Sequence, residues 1–363
     1  MGSHGFTVDV LERIEALRYI AADWDALAHR SGTPLLSADW FLACAETLCA
    51  ESDLRVVVVR RAGALCAVAP LVVVRYEGIE RLEVLGVSAL YEPSGFLYDS
   101  AESLHHLVGK IVGFQMPAVF DRIPAESPIV AMFRELIGYR GVTFSQRTAP
   151  AAYVATIGNW QEYFQSISGQ RRYDYQRKRK RTERSGRVEI RIERPSGGTG
   201  LPCMLEKVFR VEGAGWKGRS GSGLLANERV RKFIARYSEM ASDRGTLALC
   251  FLEVAAQPIA TILGVVCEKR FWVLKIGYDE AWARCSPGIQ LTMETIRYAF
   301  DQGLEAYEFL GSEESWQSVW PRHRHELTSI AIYPVSRRGL SALGRDLRRS
   351  GLQRMQRALA GLK

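Results

Sequence analysis

GYDEAWARCSPGIQLTMETIRYAF, residues 277–300, decides the fold, because it carries the end of an apolar strand through a polar loop into a long amphipathic helix. Pro287 has the fixed φ of a first helical position, and Ser286 before it is of a type that caps exposed N–H groups. Gly288 has no side chain, so another molecule can approach the backbone closely. A helix N-terminus with free amides is an anion site, usually for phosphate or pyrophosphate. Ser-Pro-Gly also starts helices that bind nothing, so its meaning depends on the rest of the chain.

Working outward, one pattern occurs twice. In the first half DLRVVVVRR turns at Ala62-Gly63 into ALCAVAPLVVVRYE, and IERLEVLG follows. In the second, LALCFLEVA turns at Ala256-Gln257-Pro258 into IATILGVVCE, and RFWVLKIGYD follows. Each is a β-rich hairpin with a third strand, preceded by a helical segment (37–50 and 227–245) and followed by a helix and a short strand. A duplicated α+β unit is expected. The copies differ before the late helix, which has Ser-Pro-Gly in the second and only YDSAES in the first. The second copy is therefore the expected phosphate binder. The boundaries expected are 5–148, 149–335 and a basic amphipathic helix over 336–363.

Composition agrees with a soluble globular protein too long for one ordinary core. The longest apolar run, 62–74, is too short to span a bilayer and contains Pro70. MGSH at the start has the look of an added tag, and no basic segment followed by an apolar stretch signals secretion. Seven scattered cysteines without a C-x-x-C pair point to thiols in a reducing cytoplasm, not to disulfides or zinc. His323 and His325 have no ligand cluster beside them, so no metal is expected.

The net charge of +8 is concentrated in 170–187 and 336–363. Tyrosines interleaved with the first block, and Gly186 as its stop, favour an ordered surface helix. In the tail, Leu340, Leu343, Leu347, Leu352, Met355, Leu359 and Leu362 recur at intervals of three to five with arginines between. That is a cationic amphipathic helix, suited to an anionic bilayer surface or to packing on its own domain.

Four segments together carry a family resemblance: WDALAHRSGTPLLSADWF (24–41), GAGWKGRSGSGLL (213–225), LKIGYDEAWARCSPGIQL (274–291) and YEFLGSEESWQSVW (307–320). Over most of residues 10–335 the chain resembles the GNAT acyltransferase superfamily, in the tandem-domain branch of cellulose-biosynthesis-type acetyltransferases related to FemABX. That branch includes bacterial sphingolipid N-acyltransferases. The resemblance implies two tandem GNAT-like domains with mixed central sheets flanked by helices, the first degenerate. It implies an acyl-CoA co-substrate, with pyrophosphate on the helix that Ser286, Pro287, Gly288, Ile289 and Gln290 open. It also implies N-acylation of an amine, either a membrane lipid amine such as a sphingoid base or an amino sugar on a polysaccharide precursor. Aminoacyl transfer of the FemABX kind is a further alternative. Family members often carry lysine or histidine at the position of Gln317.

An amine with a pKa near 10.4 is mostly protonated at neutral pH, so N-acylation calls for a base or a desolvating pocket. Candidate bases are Asp279, Glu280, Glu308, Glu313 and Glu314, near strand ends or loops. Glu308 alternates with Tyr307 and Phe309, which directs it towards solvent. Lys275 lies in an apolar strand, where a charge needs a partner or a role. Trp216 and Lys217 lie in a stretch with five glycines between 213 and 223, and with Tyr278 and Trp320 are the expected acceptor contacts. Cys285 lacks a His-Asp pattern for covalent catalysis and is read as a passive thiol. The expected setting is the cytoplasm, with peripheral contact at the inner membrane. Nucleic-acid or polysaccharide binding through the basic segments is the non-enzymatic alternative, and nucleic acid is not favoured.

Overall fold

The computed structural model describes residues 5–197, 200–215 and 227–360, except the side chains of 350–360. In chain order it starts with β1 (Phe6–Leu11), α1 (Ile14–Tyr19), α2 (Ala21–Ala28), α3 (Ala38–Thr47), β2 (Val56–Arg61), β3 (Ala64–Ala69), β4 (Leu71–Tyr76) and β5 (Ile79–Val84). Next come α4 (Val87–Leu90), β6 (Leu97–Tyr98), α5 (Ala101–Gly113), β7 (Ala118–Pro124), α6 (Ile129–Ile137), β8 (Gly141–Ala155), α7 (Trp160–Ser166) and α8 (Gly169–Glu183). The remainder is β9 (Val188–Glu193), α9 (Leu201–Gly213), α10 (Glu228–Asp243), β10 (Leu247–Val254), β11 (Gln257–Cys267), β12 (Arg270–Tyr278), α11 (Pro287–Asp301), β13 (Ala306–Leu310), β14 (His323–Pro334) and α12 (Arg337–Ala360).

The chain divides into two compact units, one running to Thr148 and resuming at Glu326, the other Ala149–His325. Both are mixed α/β, with sheets flanked by helices. Residues 326–334 group with the first unit because they pair antiparallel with β7, although the sequence pattern set them at the end of the second.

In the first unit β1, β2, β3 and β6 form an antiparallel sheet, while β4 and β5 form a separate hairpin. The run ALCAVAPLVVVRYE, expected as one strand, is therefore two. Pro70 has no amide to give to a ladder, and the chain changes sheet there. β5 and β7 are parallel and joined through α5. Ser100 caps α5 in a reciprocal pair with Ser103, so this helix end satisfies its own donors.

The second unit runs β8-β13-β12-β11-β10-β9. Its β10-β11-β12 meander is continuous, turning at Ala255-Ala256 and Glu268-Lys269, all four in the left-handed conformation that two-residue hairpins require. The first turn thus sits one residue earlier than the pattern suggested, and Gln257 and Pro258 already belong to β11. β12 and β13 are parallel and joined by α11, repeating the β5-α5-β7 crossover of the first unit. One sheet face buries Phe271, Val273 and Tyr307 under Leu291, Met293, Ile296 and Ala299 of α11, with α7 and α8 alongside. α9 packs on the other face: a Cβ on Gly277 of β12 would fall 2.7 Å from the Cα of Glu212. No described helix is long and apolar enough to cross a membrane.

Candidate active site

Two irregularities open the sheet of the second unit. β12 pairs with β13 only at Arg270–Ala306, Phe271–Tyr307 and Trp272–Glu308, after which β12 continues to Tyr278 paired with β11 alone. Against β11, Leu263 pairs with Lys275 and Gly264 with Val273, so Leu274 is the extra residue of a bulge. The bulge interrupts the ladder where the strands part and keeps Ile276 and Tyr278 facing the α11 core.

The start of α11 lies beside this gap. Ser286 has a left-handed backbone (φ 49°, ψ 56°), and its side chain makes no capping bond, contrary to its expected role. Gln290 N–H is bonded to Ser286 O at 3.2 Å, and Pro287 has no amide to give. The first-turn amides of Gly288 and Ile289 are left to point outward, as at any uncapped helix end. Electrostatically this end carries about half a positive charge. It differs in that respect from α5, whose own serines cap it.

A cavity of about 300 Å³ lies against this end. Ile276, Gly277 and Tyr278 form one wall, and Ala283, Ser286, Gly288 and Ile289 another. Glu212 and Gly215 at the end of α9 close it on one side, and Glu314 and Trp316, beyond β13, on the other. Of the residues singled out in the sequence, Tyr278, Ser286, Gly288 and Ile289 meet here, with Pro287 buried at the first helical position. A Cβ on Gly288 would lie 3.4 Å from the Tyr278 ring, at ordinary contact. Gly288→Val therefore fits the helix while its methyl groups intrude on the cavity. Coenzyme A affinity is expected to fall at least about tenfold, the cost of roughly one hydrogen bond to a charged group. Calorimetric titration beside a thermal melt checks this; affinity equal to the parent's would remove the ligand from this wall.

The other expected site residues lie elsewhere. Gln290 is buried, and its amide donates to Thr182 Oγ1 and Cys285 O, both at 2.8 Å, so it ties the loop to α8 and lines no cavity. Asp279 accepts from Ala281 N–H at 3.0 Å and caps the short turn Glu280–Cys285. Neither Asp279 nor Glu280 lines the cavity, and nor does Lys275, which lies on the sheet face opposite α11. Glu313 is bound by Arg322 (2.6 Å) and Arg324 (2.6 Å). Its hydrogen bond from Arg324, with that from Arg322, holds its carboxyl below the usual range, so it is ill suited to take a proton. Glu308, expected to face solvent, is buried and bound to Arg270 (2.5 Å) and His325 (2.9 Å), with the His325 ring stacked on Tyr153 at 4.4 Å. Trp320 is buried among aromatics, 5.6 Å from Phe309 and 5.8 Å from Trp316, and is core, not an acceptor contact. Trp216 and Lys217 lie outside the described residues. Cys285 is buried and unbridged, and no described group of His, Cys, Asp or Glu is arranged to hold a metal.

Two carboxylates do face the cavity. Glu314 is exposed and held in place, accepting from Trp316 Nε1 at 3.0 Å and from Gln317 N–H, while Gln317 Oε1 accepts Glu314 N–H at 3.0 Å. Gln317 is thus the brace of that turn. Glu212 is only 4 % exposed. Sequence reasoning missed it, although the signal was there. Leu201, Leu205, Val208, Phe209 and Glu212 follow the 3.6-residue period of α9, which puts a carboxylate on an apolar stripe.

Residues 169–318 match the family model described as an acetyltransferase (GNAT) domain. A search of curated proteins finds no match. Among solved structures, FemX superposes with a TM-score of 0.59 at 13 % identity, covering 87 % of this chain and 96 % of that one. L-PGS from Bacillus licheniformis gives 0.53 at 13 % identity, covering 87 % and 90 %. The C-terminal domain assigned to a lysylphosphatidylglycerol synthetase of Agrobacterium fabrum gives 0.54 at 12 %, covering 90 % and 95 %. At such identities these likenesses are of fold. The family model thus places a GNAT acetyltransferase domain over residues 169–318.

Proposed function

We propose that the protein is an acyl-CoA-dependent N-acyltransferase whose acceptor is a lipid amine, in its sharpest form a sphingoid base giving a ceramide-type amide. The observation that carries the transfer reading is the parting of β12 from β13 over the uncapped start of α11. A pyrophosphate seats on the amides of Gly288 and Ile289, and the thioester lies along the gap between the strands. The amine nitrogen attacks the thioester carbonyl carbon, the C–S bond breaks, and coenzyme A leaves as a thiolate that takes up a proton. The bulge at Leu274 offers backbone N–H to the carbonyl oxygen as its charge develops. Glu212, buried in the cavity wall, takes the proton from the attacking amine.

The lipid acceptor is supported by the first unit. α12 packs Ala342 and Leu343 inward beside Ile79 and leaves Leu340 and Leu347 exposed. Arg75, Arg337, Arg338 and Arg345 surround a hollow beside it; Glu80 pairs with Arg75 and Arg338, and the remaining positive charge suits anionic headgroups.

Isothermal titration with coenzyme A and acyl-CoA tests the first step, with affinity in the micromolar to millimolar range as the expected result. Turnover of a sphingoid base in anionic vesicles, against a water-soluble amine, tests the second. The FemX-like fold favours one other reading, aminoacyl transfer; turnover with aminoacyl-tRNA and none with acyl-CoA would replace the proposal by it.

A further inference from the structure

The basic helix α8 lies against the turn Glu280–Cys285, whose Ala283 lines the cavity, and its contacts set which side it presents. Thr182 accepts from buried Gln290, and Tyr175 and Arg179 both bond Glu294 of α11. With that side held, helical spacing puts 174, 178 and 181 on one flank. This flank meets the turn Glu280–Cys285: the Arg181 guanidinium donates to the carbonyl of Arg284 at 3.4 Å. Ala283 and Ser286, the near neighbours of Arg284, line the cavity.

Two arginines of α8 are matched, Arg177 by Asp174 and Arg179 by Glu183 and Glu294. Lys178, Arg181 and Arg284 have no carboxylate in ion-pair range among the described residues. Three unmatched cations on α8 and the turn that leads into the cavity wall raise the local concentration of multivalent anions. A coenzyme A thioester with its pyrophosphate on α11 carries one more anionic group outside the cavity, the phosphomonoester on its ribose. That group has nearly two negative charges and three acceptor oxygens, which suits forked guanidinium donors.

We propose that Lys178, Arg181 and Arg284 form the subsite for the ribose 3′-phosphate of the acyl-CoA, at the junction of α8 with the loop that opens α11. This rests on the acyl-CoA reading above. It gives the positive charge of 170–187 a ligand: the carrier of the acyl group, in place of nucleic acid.

Calorimetric titration of the wild type and a Lys178→Ala/Arg181→Ala double variant, each with coenzyme A and 3′-dephospho-coenzyme A, tests it. The wild type is expected to bind coenzyme A about tenfold more tightly than the dephospho form, as for one or two partly exposed charge-assisted contacts. The variant is expected to bind both alike, at the wild type's affinity for dephospho-coenzyme A; that unchanged affinity also shows that the cavity is intact. A variant that keeps the preference, or a wild type that shows none, overturns the subsite. A wild type that binds neither ligand overturns the acyl-CoA reading and the subsite with it, so the two failures are distinct.

Discussion

Glu212→Gln is expected to lower the rate of acyl transfer by about a hundredfold or more, the usual range for loss of a positioned proton acceptor. The substitution keeps size and shape, so the packing of α9 on β12 is preserved and thermal stability should change little. Coenzyme A affinity should also hold, because the amides of Gly288 and Ile289 are on the facing wall. The expected pattern is a fall in kcat with KM for acyl-CoA unchanged, which marks an interaction made in the transition state and not in ground-state binding. A parallel Glu314→Gln variant separates the two carboxylates. Glu314 is exposed and already accepts two hydrogen bonds, so its loss should act mainly by loosening the Trp316 turn. If Glu314→Gln abolishes turnover and Glu212→Gln does not, the proton acceptor is on the turn after β13. The geometry of Gly277 argues for Glu212: its missing side chain is what lets the Glu212 backbone and stem approach to 2.7–2.9 Å from an ideal Cβ position. The close approach fixes where α9 carries Glu212 against β12, beside the cavity that both line.

The frame of the site was legible because local chemistry governs it. Pro287 ahead of an amphipathic run marks a first helical position, and the contrast with the first copy is visible in the sequence; the structure sharpens it into a capped α5 and an uncapped α11. The proposed proton acceptor was not legible in the same way. The stretch from Lys275 to Glu280 is rich in candidates by sequence proximity, but the bulge at Leu274 shifts the alternation and turns Lys275 to the far face, and the turn Glu280–Cys285 consumes Asp279. Glu313 and Glu308 are consumed by arginines distant in sequence from the strand pattern, a tertiary fact with no local mark. Bulges behave likewise. Leu274 sits in an unbroken apolar run, and only the register against β11 shows that it is extra. Pro70 is the opposite case, since the missing amide was in plain view and the strand was still read through it.

Asp346→Ala is expected to destabilise the first unit by about 3 kcal/mol, which a urea or thermal unfolding curve would show directly. The tail was expected as a free amphipathic helix or as a packed one, and for its first three turns the packed alternative holds. Asp346 Oδ2 and Oδ1 accept from Arg81 Nη1 and Nη2 at 2.7 and 2.9 Å, and Tyr333 donates to Oδ2 at 2.6 Å. Arg81 is 6 % exposed. Removing its partner leaves a guanidinium buried without countercharge, and breaking such a pair costs more than the pair contributes. The pH dependence follows with a definite sign. Burial raises the Asp346 carboxyl, but the bonds from Arg81 and Tyr333 outweigh it, and the folded carboxyl lies below the ordinary aspartate range. A depressed folded pKa contributes stability that is fully present above the unfolded value. It is lost as pH falls through the folded one. The wild type should therefore lose part of its margin over the variant below about pH 4, and the two should converge in acid. Deleting residues 338–363 removes the same contact, so a loss of fold in that truncation says nothing about membranes. Deleting only 350–363 leaves Asp346 in place. That shorter truncation is the one whose binding to anionic vesicles reads the cationic tail. If Asp346→Ala unfolds at the wild-type midpoint, Arg81 has another partner and the helix is held by Ala342 and Leu343 alone.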